Sequence, residues 1–222
     1  MNIIDFIQTS NINPGDTNHP TSEQLSHLHN KHNFVLDGYY PIDKGKTTRW
    51  KLPIKVCTNG IKRAQKALDM ITRKSGISNL FMVVDYEPES GIIFHDGGAR
   101  GFNNVVNKDV TGNVSRLSKP SCEIWYTVDR EGYLNGQYHI KLGSHDHLNG
   151  TKDWYYLSFW NHSKIAIHEL THALGFFDHY QSFGNTAVFH KDVYKAIQLL
   201  YSAPNKVDAQ ELTRHLRVIH NA

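Results

Sequence analysis

Apolar periodicity changes character once along this chain, and the change limits which folds are open to it. Between residues 51 and 142 the apolar segments are mostly short and strand-like. Lys51–Thr58 and Asn79–Asp85 are compact apolar runs, and Gly91–Phe94 is another. Glu123–Val128 and Gln137–Leu142 read as a strand pair around Gly132 and Asn135-Gly136. One helix interrupts them at Gly60–Ser75, where Ile61, Ala64, Leu68 and Ile71 recur at helical spacing and Gly76 stops the run. His95–Pro120, rich in Gly and Asn, reads as a long loop, and the aromatic run Trp154–Trp160 as a strand or a packed loop. From Ser163 onward the period is helical. Ser163–Leu174 ends at Gly175, His190–Ser202 carries Val193, Ala196, Ile197, Leu200 and Tyr201 on one face, and Val207–Ile219 is capped by Asp208 with Glu211 three residues on. Strands first and helices after predict an α+β fold with one mixed sheet.

Residues 1–47 differ again. They are polar and turn-rich, with a turn at Asn13-Pro14-Gly15-Asp16 and a short helix expected over Thr21–His32, opened by Thr21 and Gln24. The reading is an arm or pro-segment, 1–47, attached to one domain, 48–222. A chain of 222 residues, 39% of them hydrophobic, can bury a core without staples. Two cysteines, Cys57 and Cys122, are too few for a disulfide framework; a single pair and two buried thiols both stay open. No stretch approaches the ~20 apolar residues that cross a bilayer. A net charge of +3 without a basic run argues against nucleic acid. Neither membrane nor nucleic acid is expected as a partner, and a monomer is expected. The start, Met1-Asn2-Ile3-Ile4-Asp5-Phe6, has no basic n-region and no apolar h-region, so no secretory signal is expected; export by another route and a cytoplasmic location both stay open.

Among the 15 histidines, spacing singles out two. In the run His168-Glu169-Leu170-Thr171-His172-Ala173-Leu174-Gly175, His168 and His172 stand four apart on one helical face and can aim both imidazoles at one metal ion. Zinc favours such nitrogen ligands. Glu169 follows the first ligand and falls near the metal without having to bind it, which suits a base that takes a proton from metal-bound water. A catalytic zinc generally has three protein ligands and an open position. Gly175 can adopt positive φ and turn the chain, and Asp178, three residues later, can return to the metal as the third ligand.

HExxHxxGxx followed by a third ligand resembles the signature of the metzincin clan of zinc endopeptidases. With Asp178 as that ligand, Gly175-Phe176-Phe177-Asp178-His179-Tyr180 looks like the snapalysins. His168–Gly175 and Phe189–Ser202 are also similar to the matrixins, the latter to their C-terminal helix. More weakly, Arg49-Trp50 and the following strand, helix and strand resemble the start of a metzincin catalytic domain. The resemblance implies a twisted mixed β-sheet, an active-site helix and a helical C-terminal half, with a sheet edge that binds an extended peptide. It implies one Zn2+, held by His168, His172 and Asp178, and a zinc endopeptidase that hydrolyses protein or peptide substrates through a metal-activated water with Glu169 as general base. The sequence departs from the clan in lacking a methionine after the third ligand: Met1, Met70 and Met82 all precede His168, and Ala187 or Val188 is expected to pack in its place. The alternatives are a non-catalytic zinc-binding protein that acts by binding a partner, which intact Glu169 speaks against, and a zinc hydrolase of a non-peptide bond.

Other signals are weaker. His179 replaces Asp178 as third ligand if the chain bulges by one residue. Tyr180 reads as packing ahead of oxyanion support. His145-Asp146-His147 and His95-Asp96 read as loop residues ahead of second metal sites. His19, His27, His29 and His32 read as exposed. Asp16 and Asp37 are candidates for an aspartate switch on the zinc, since no cysteine precedes Arg49.

Overall fold

The computed structural model describes residues 3–13, 40–96, 104–107, 127–142, 162–177 and 192–220. In chain order the elements are α1 (Ile3–Ile7), a π-helical turn (Gln8–Ile12), β1 (Tyr40–Pro41), β2 (Ile54–Cys57), α2 (Lys62–Ser75), β3 (Phe81–Val84), β4 (Gly91–Asp96), β5 (Asn104–Asn107), β6 (Thr127–Val128), β7 (Gln137–Leu142), α3 (His162–Ala173), α4 (Val193–Ser202) and α5 (Ala209–His220). The fold is mixed α+β.

Five strands form one sheet in the order β3-β2-β4-β7-β5. β3, β2, β4 and β7 run parallel, and β5 closes one edge antiparallel to β7. β1 and β6 form a separate two-stranded ladder. Thr127–Val128, the described end of the 123–128 run, pairs with Tyr40–Pro41 and not with β7, which is inserted between β4 and β5; residues 123–126 lie outside the described residues. Burial explains the difference. Tyr138, His139 and Ile140 are all buried, so both faces of β7 are covered, as suits a strand inside a parallel sheet. Val128 instead bridges to Leu134, and the Asn135 N–H donates to the Thr127 carbonyl at 3.3 Å. The expected loop from His95 to Pro120 also contains structure: β4 continues to Asp96, and β5 lies within it. Four residues among Gly and Asn are too short a run to announce a strand.

Helix termini follow the local chemistry. Gly76 closes α2 at φ 73°, with its N–H donating to the Thr72 carbonyl at 3.0 Å. α5 begins on a reciprocal box: the Glu211 N–H donates to the Asp208 carboxylate at 2.9 Å, and the Asp208 N–H to the Glu211 carboxylate at 3.0 Å.

One apolar cluster joins these elements. Ile54, Val56, Ile92, Phe94, Tyr138 and Ile140 bring the sheet to it, Ala64, Leu68 and Ile71 bring α2, and Val193, Ile197, Leu200 and Leu212 bring α4 and α5. α3 packs against α2 and against β5 and β7. From Ala166 to Phe177 every residue but Glu169 is buried, so this stretch runs through the core and not across its surface. Phe6, Ile7 and Ile12 belong to the same cluster, so the first stretch of the 1–47 segment is part of the core. Residues 14–39, including the Thr21–His32 helix, lie outside the described residues. Cys57 is a buried free thiol that donates to the Asn59 side-chain oxygen at 3.3 Å; Cys122 lies outside. Among the described residues no helix is long and apolar enough to cross a membrane.

Candidate metal centre

Two of the three expected metal ligands meet on α3. His168 and His172 stand one turn apart, and their Nε2 atoms are 3.2 Å from each other with the rings at 85°. Two nitrogens bound to one tetrahedral zinc at about 2.0–2.1 Å stand about 3.3 Å apart, so the spacing fits two ligands of one ion. The tautomer fits as well. His172 Nδ1 lies 2.6 Å from the Phe176 carbonyl oxygen, which can only accept, so Nδ1 carries the proton and Nε2 keeps its lone pair. Such a lone pair 3.2 Å from a second nitrogen needs a proton or a cation beside it. Both rings are buried, at 5% and 7% exposure, so an ion there would be largely out of water.

Glu169 leaves α3 next to this pair. It keeps some surface, yet desolvation of its carboxyl pushes the pKa up to about 8. Among the described residues no group of three His, Cys, Asp or Glu side chains converges as a metal site. Asp178, His179 and Tyr180 lie outside the described residues, as do Phe183–Val188, His145–His147 and the aspartates of the candidate switch.

The chain leaves the helix through Gly175, at φ +102°. A Cβ there would sit 2.9 Å from the Thr48 carbonyl oxygen and 3.2 Å from Asn11 Nδ2, so both conformation and space require glycine. The last carbonyls of a helix lack intrahelical donors. Here three successive ones find side chains from distant parts of the chain. Trp50 Nε1–H donates to Ala173 at 2.6 Å, Tyr201 Oη–H to Leu174 at 2.9 Å and Asn11 Nδ2–H to Gly175 at 2.6 Å. Burial pushes the Tyr201 hydroxyl far above the ordinary tyrosine range, so it stays a donor. The sequence marked Trp50 only as part of a resemblance and Tyr201 only as one residue of an apolar helix face, and it did not single out Asn11; none was legible as a cap, because the partners are 123, 27 and 164 residues away.

A second histidine pair lies in the sheet. His95 is on β4, and its Nε2 is 2.6 Å from Nδ1 of His139 on β7, with the rings stacked. That distance is shorter than the roughly 3.3 Å of two ligands on one zinc and fits one nitrogen donating to the other. No family model matches the chain, and neither does any curated protein or solved structure.

Proposed function

We propose that the chain is a zinc-dependent endopeptidase of metzincin type, with His168, His172 and Asp178 as ligands and Glu169 as the general base. The observation that carries the reading is the convergence of the two histidine Nε2 atoms at a co-ligand distance, with the His172 proton tied off on the Phe176 carbonyl. The mixed sheet supports it, with its antiparallel edge strand β5 in contact with the helix that bears both histidines. An edge strand is suited to holding an extended peptide by main-chain pairing.

Bound there, zinc would polarise the scissile carbonyl, acidify the attacking water and favour the charged form of Glu169. The residues of the chain do the rest. His172 presents Nε2 because Phe176 fixes its tautomer. Glu169, in its charged form, accepts a proton from the attacking water as the new C–O bond forms, and returns it to the leaving amine as the C–N bond breaks. Its low-dielectric surroundings strengthen each of these contacts.

The test is Glu169→Gln assayed beside wild type on a peptide library, with zinc content measured in both. The variant should keep the metal and lose activity by about 10²–10⁴-fold, the range of general-base catalysis. Wild-type turnover by the variant would remove Glu169 from the mechanism. A wild-type protein that binds zinc but cleaves nothing would instead support the non-catalytic, partner-binding reading.

A further inference from the structure

We propose that Phe6–Asn11 is a built-in strut of the metal site, with Phe6, Ser10 and Asn11 as positioning residues for the segment that delivers the third ligand. The proposal rests on the zinc reading above and adds a regulatory consequence. Loosening these contacts is expected to weaken the metal site, not to unmask it.

Four residues connect α3 to Asp178, and the N-terminal segment grips the last three, each at a different group. Asn11 Nδ2–H donates to the Gly175 carbonyl at 2.6 Å. The Phe6 ring stacks on Phe176 with centroids 5.2 Å apart and planes at 15°. The Ser10 carbonyl accepts the Phe177 N–H at 2.6 Å. Phe6, Ser10 and Asn11 are all essentially inaccessible to solvent, so water cannot substitute for the lost partners without opening the core.

Asn11 is itself held. Its Nδ2 also donates to the Thr48 carbonyl at 2.7 Å, and its Oδ1 accepts the Thr48 N–H at 3.1 Å. One amide thus ties together the N-terminal segment, the backbone at Thr48 and the end of the metal-site helix. The π-helical turn makes this possible. Its wider closure, Asn13 N–H to the Gln8 carbonyl at 2.7 Å, turns Ser10, Asn11 and Ile12 inward together.

The coupling to the metal runs by two short routes. Phe176, under the Phe6 ring, supplies the carbonyl that orients His172. Phe177, pinned by Ser10, is joined directly in the chain to Asp178, the residue proposed as third ligand. Outer partners of this kind change metal affinity by about 10- to 100-fold.

The experiment compares full-length wild type with Asn11→Ala, Phe6→Leu and the core control Leu80→Ala. Leu80 is buried beside β3, at the sheet edge opposite β5. Zinc affinity is read by competition with a chromophoric chelator, ligand geometry by the visible spectrum of the Co2+-substituted protein, and folding by circular dichroism. Asn11→Ala and Phe6→Leu should bind zinc about 10- to 100-fold more weakly and alter the Co2+ bands. Leu80→Ala should lower the Tm without changing either. If Asn11→Ala fails to fold, Phe6→Leu, which keeps an apolar side chain in place, decides the matter. Folded variants with wild-type zinc affinity and an unchanged Co2+ spectrum would overturn the strut while leaving the zinc reading intact. Absence of zinc binding in the wild type would overturn both.

Discussion

His172 is constrained at both ring nitrogens: a carbonyl takes the Nδ1 proton, and Nε2 faces His168. In the proposed zinc site the third ligand would come from one of two adjacent residues, Asp178 or His179, which differ by one position in the chain. Asp178 stands at the ligand spacing after Gly175, and His179 needs a bulge to arrive. Asp178→Ala is therefore expected to weaken zinc binding far more than His179→Ala, whose remaining effect through an outer hydrogen bond is about 10- to 100-fold at most. Chelator-competition titrations of the two variants measure this directly, and a larger loss in His179→Ala would reassign the ligand. Gly175 makes a second prediction. At φ +102°, with the Thr48 oxygen 2.9 Å from the position of a Cβ, Gly175→Ala should cost roughly 1–3 kcal/mol in denaturant unfolding. Unchanged stability would mean that the turn can relax.

At the scale of elements, α5 shows how much a helix start depends on one carboxylate. Asp208 caps the Glu211 N–H, and that hydrogen bond leads the causes that hold its carboxyl below the usual aspartate range, with Lys46 nearby adding to it. A depressed folded-state pKa means stability that is present above the unfolded-state value and lost as the pH falls through the folded one. Wild type should therefore melt a few degrees above Asp208→Ala at neutral pH, and the gap should close in acid once the folded-state carboxylate is protonated. Asp208→Asn keeps a capping oxygen but not the charge. It should hold much of the neutral-pH advantage and show no such acid loss. Thermal melts of the three proteins across the acid range test this, and a gap that persists in acid would separate the stabilisation from the charge.

For the whole molecule, a metal that binds the folded chain stabilises it by mass action, by about 4 kcal/mol at free metal 1,000 times Kd. α3 belongs to the common core, with α2 and the sheet against it, so metal bound there stabilises the fold as a whole. Zinc is expected to raise the Tm of wild type and of Glu169→Gln alike, and to raise neither His168→Ala nor His172→Ala. Equal shifts in all four proteins would point to zinc bound elsewhere.

The sequence by itself determined what depends on neighbours within a turn or two. The His168–His172 pair, the stop at Gly76, the Asp208–Glu211 box and the apolar face of α2 are local arrangements, set by helical spacing and by capping chemistry, and the chain displays them in order. The α+β character followed from the same local periods. Tertiary structure alone decided who meets whom. A strand's alternation does not name its partner, so β7 went between β4 and β5 and left Thr127–Val128 to Tyr40–Pro41. The four-residue β5 had no signal of its own outside the sheet it edges. The carbonyls at the end of α3 could have been capped by any donor. That Trp50, Tyr201 and Asn11 supply them is a consequence of packing across up to 164 residues, where loop closure is compensated only once the whole core has formed.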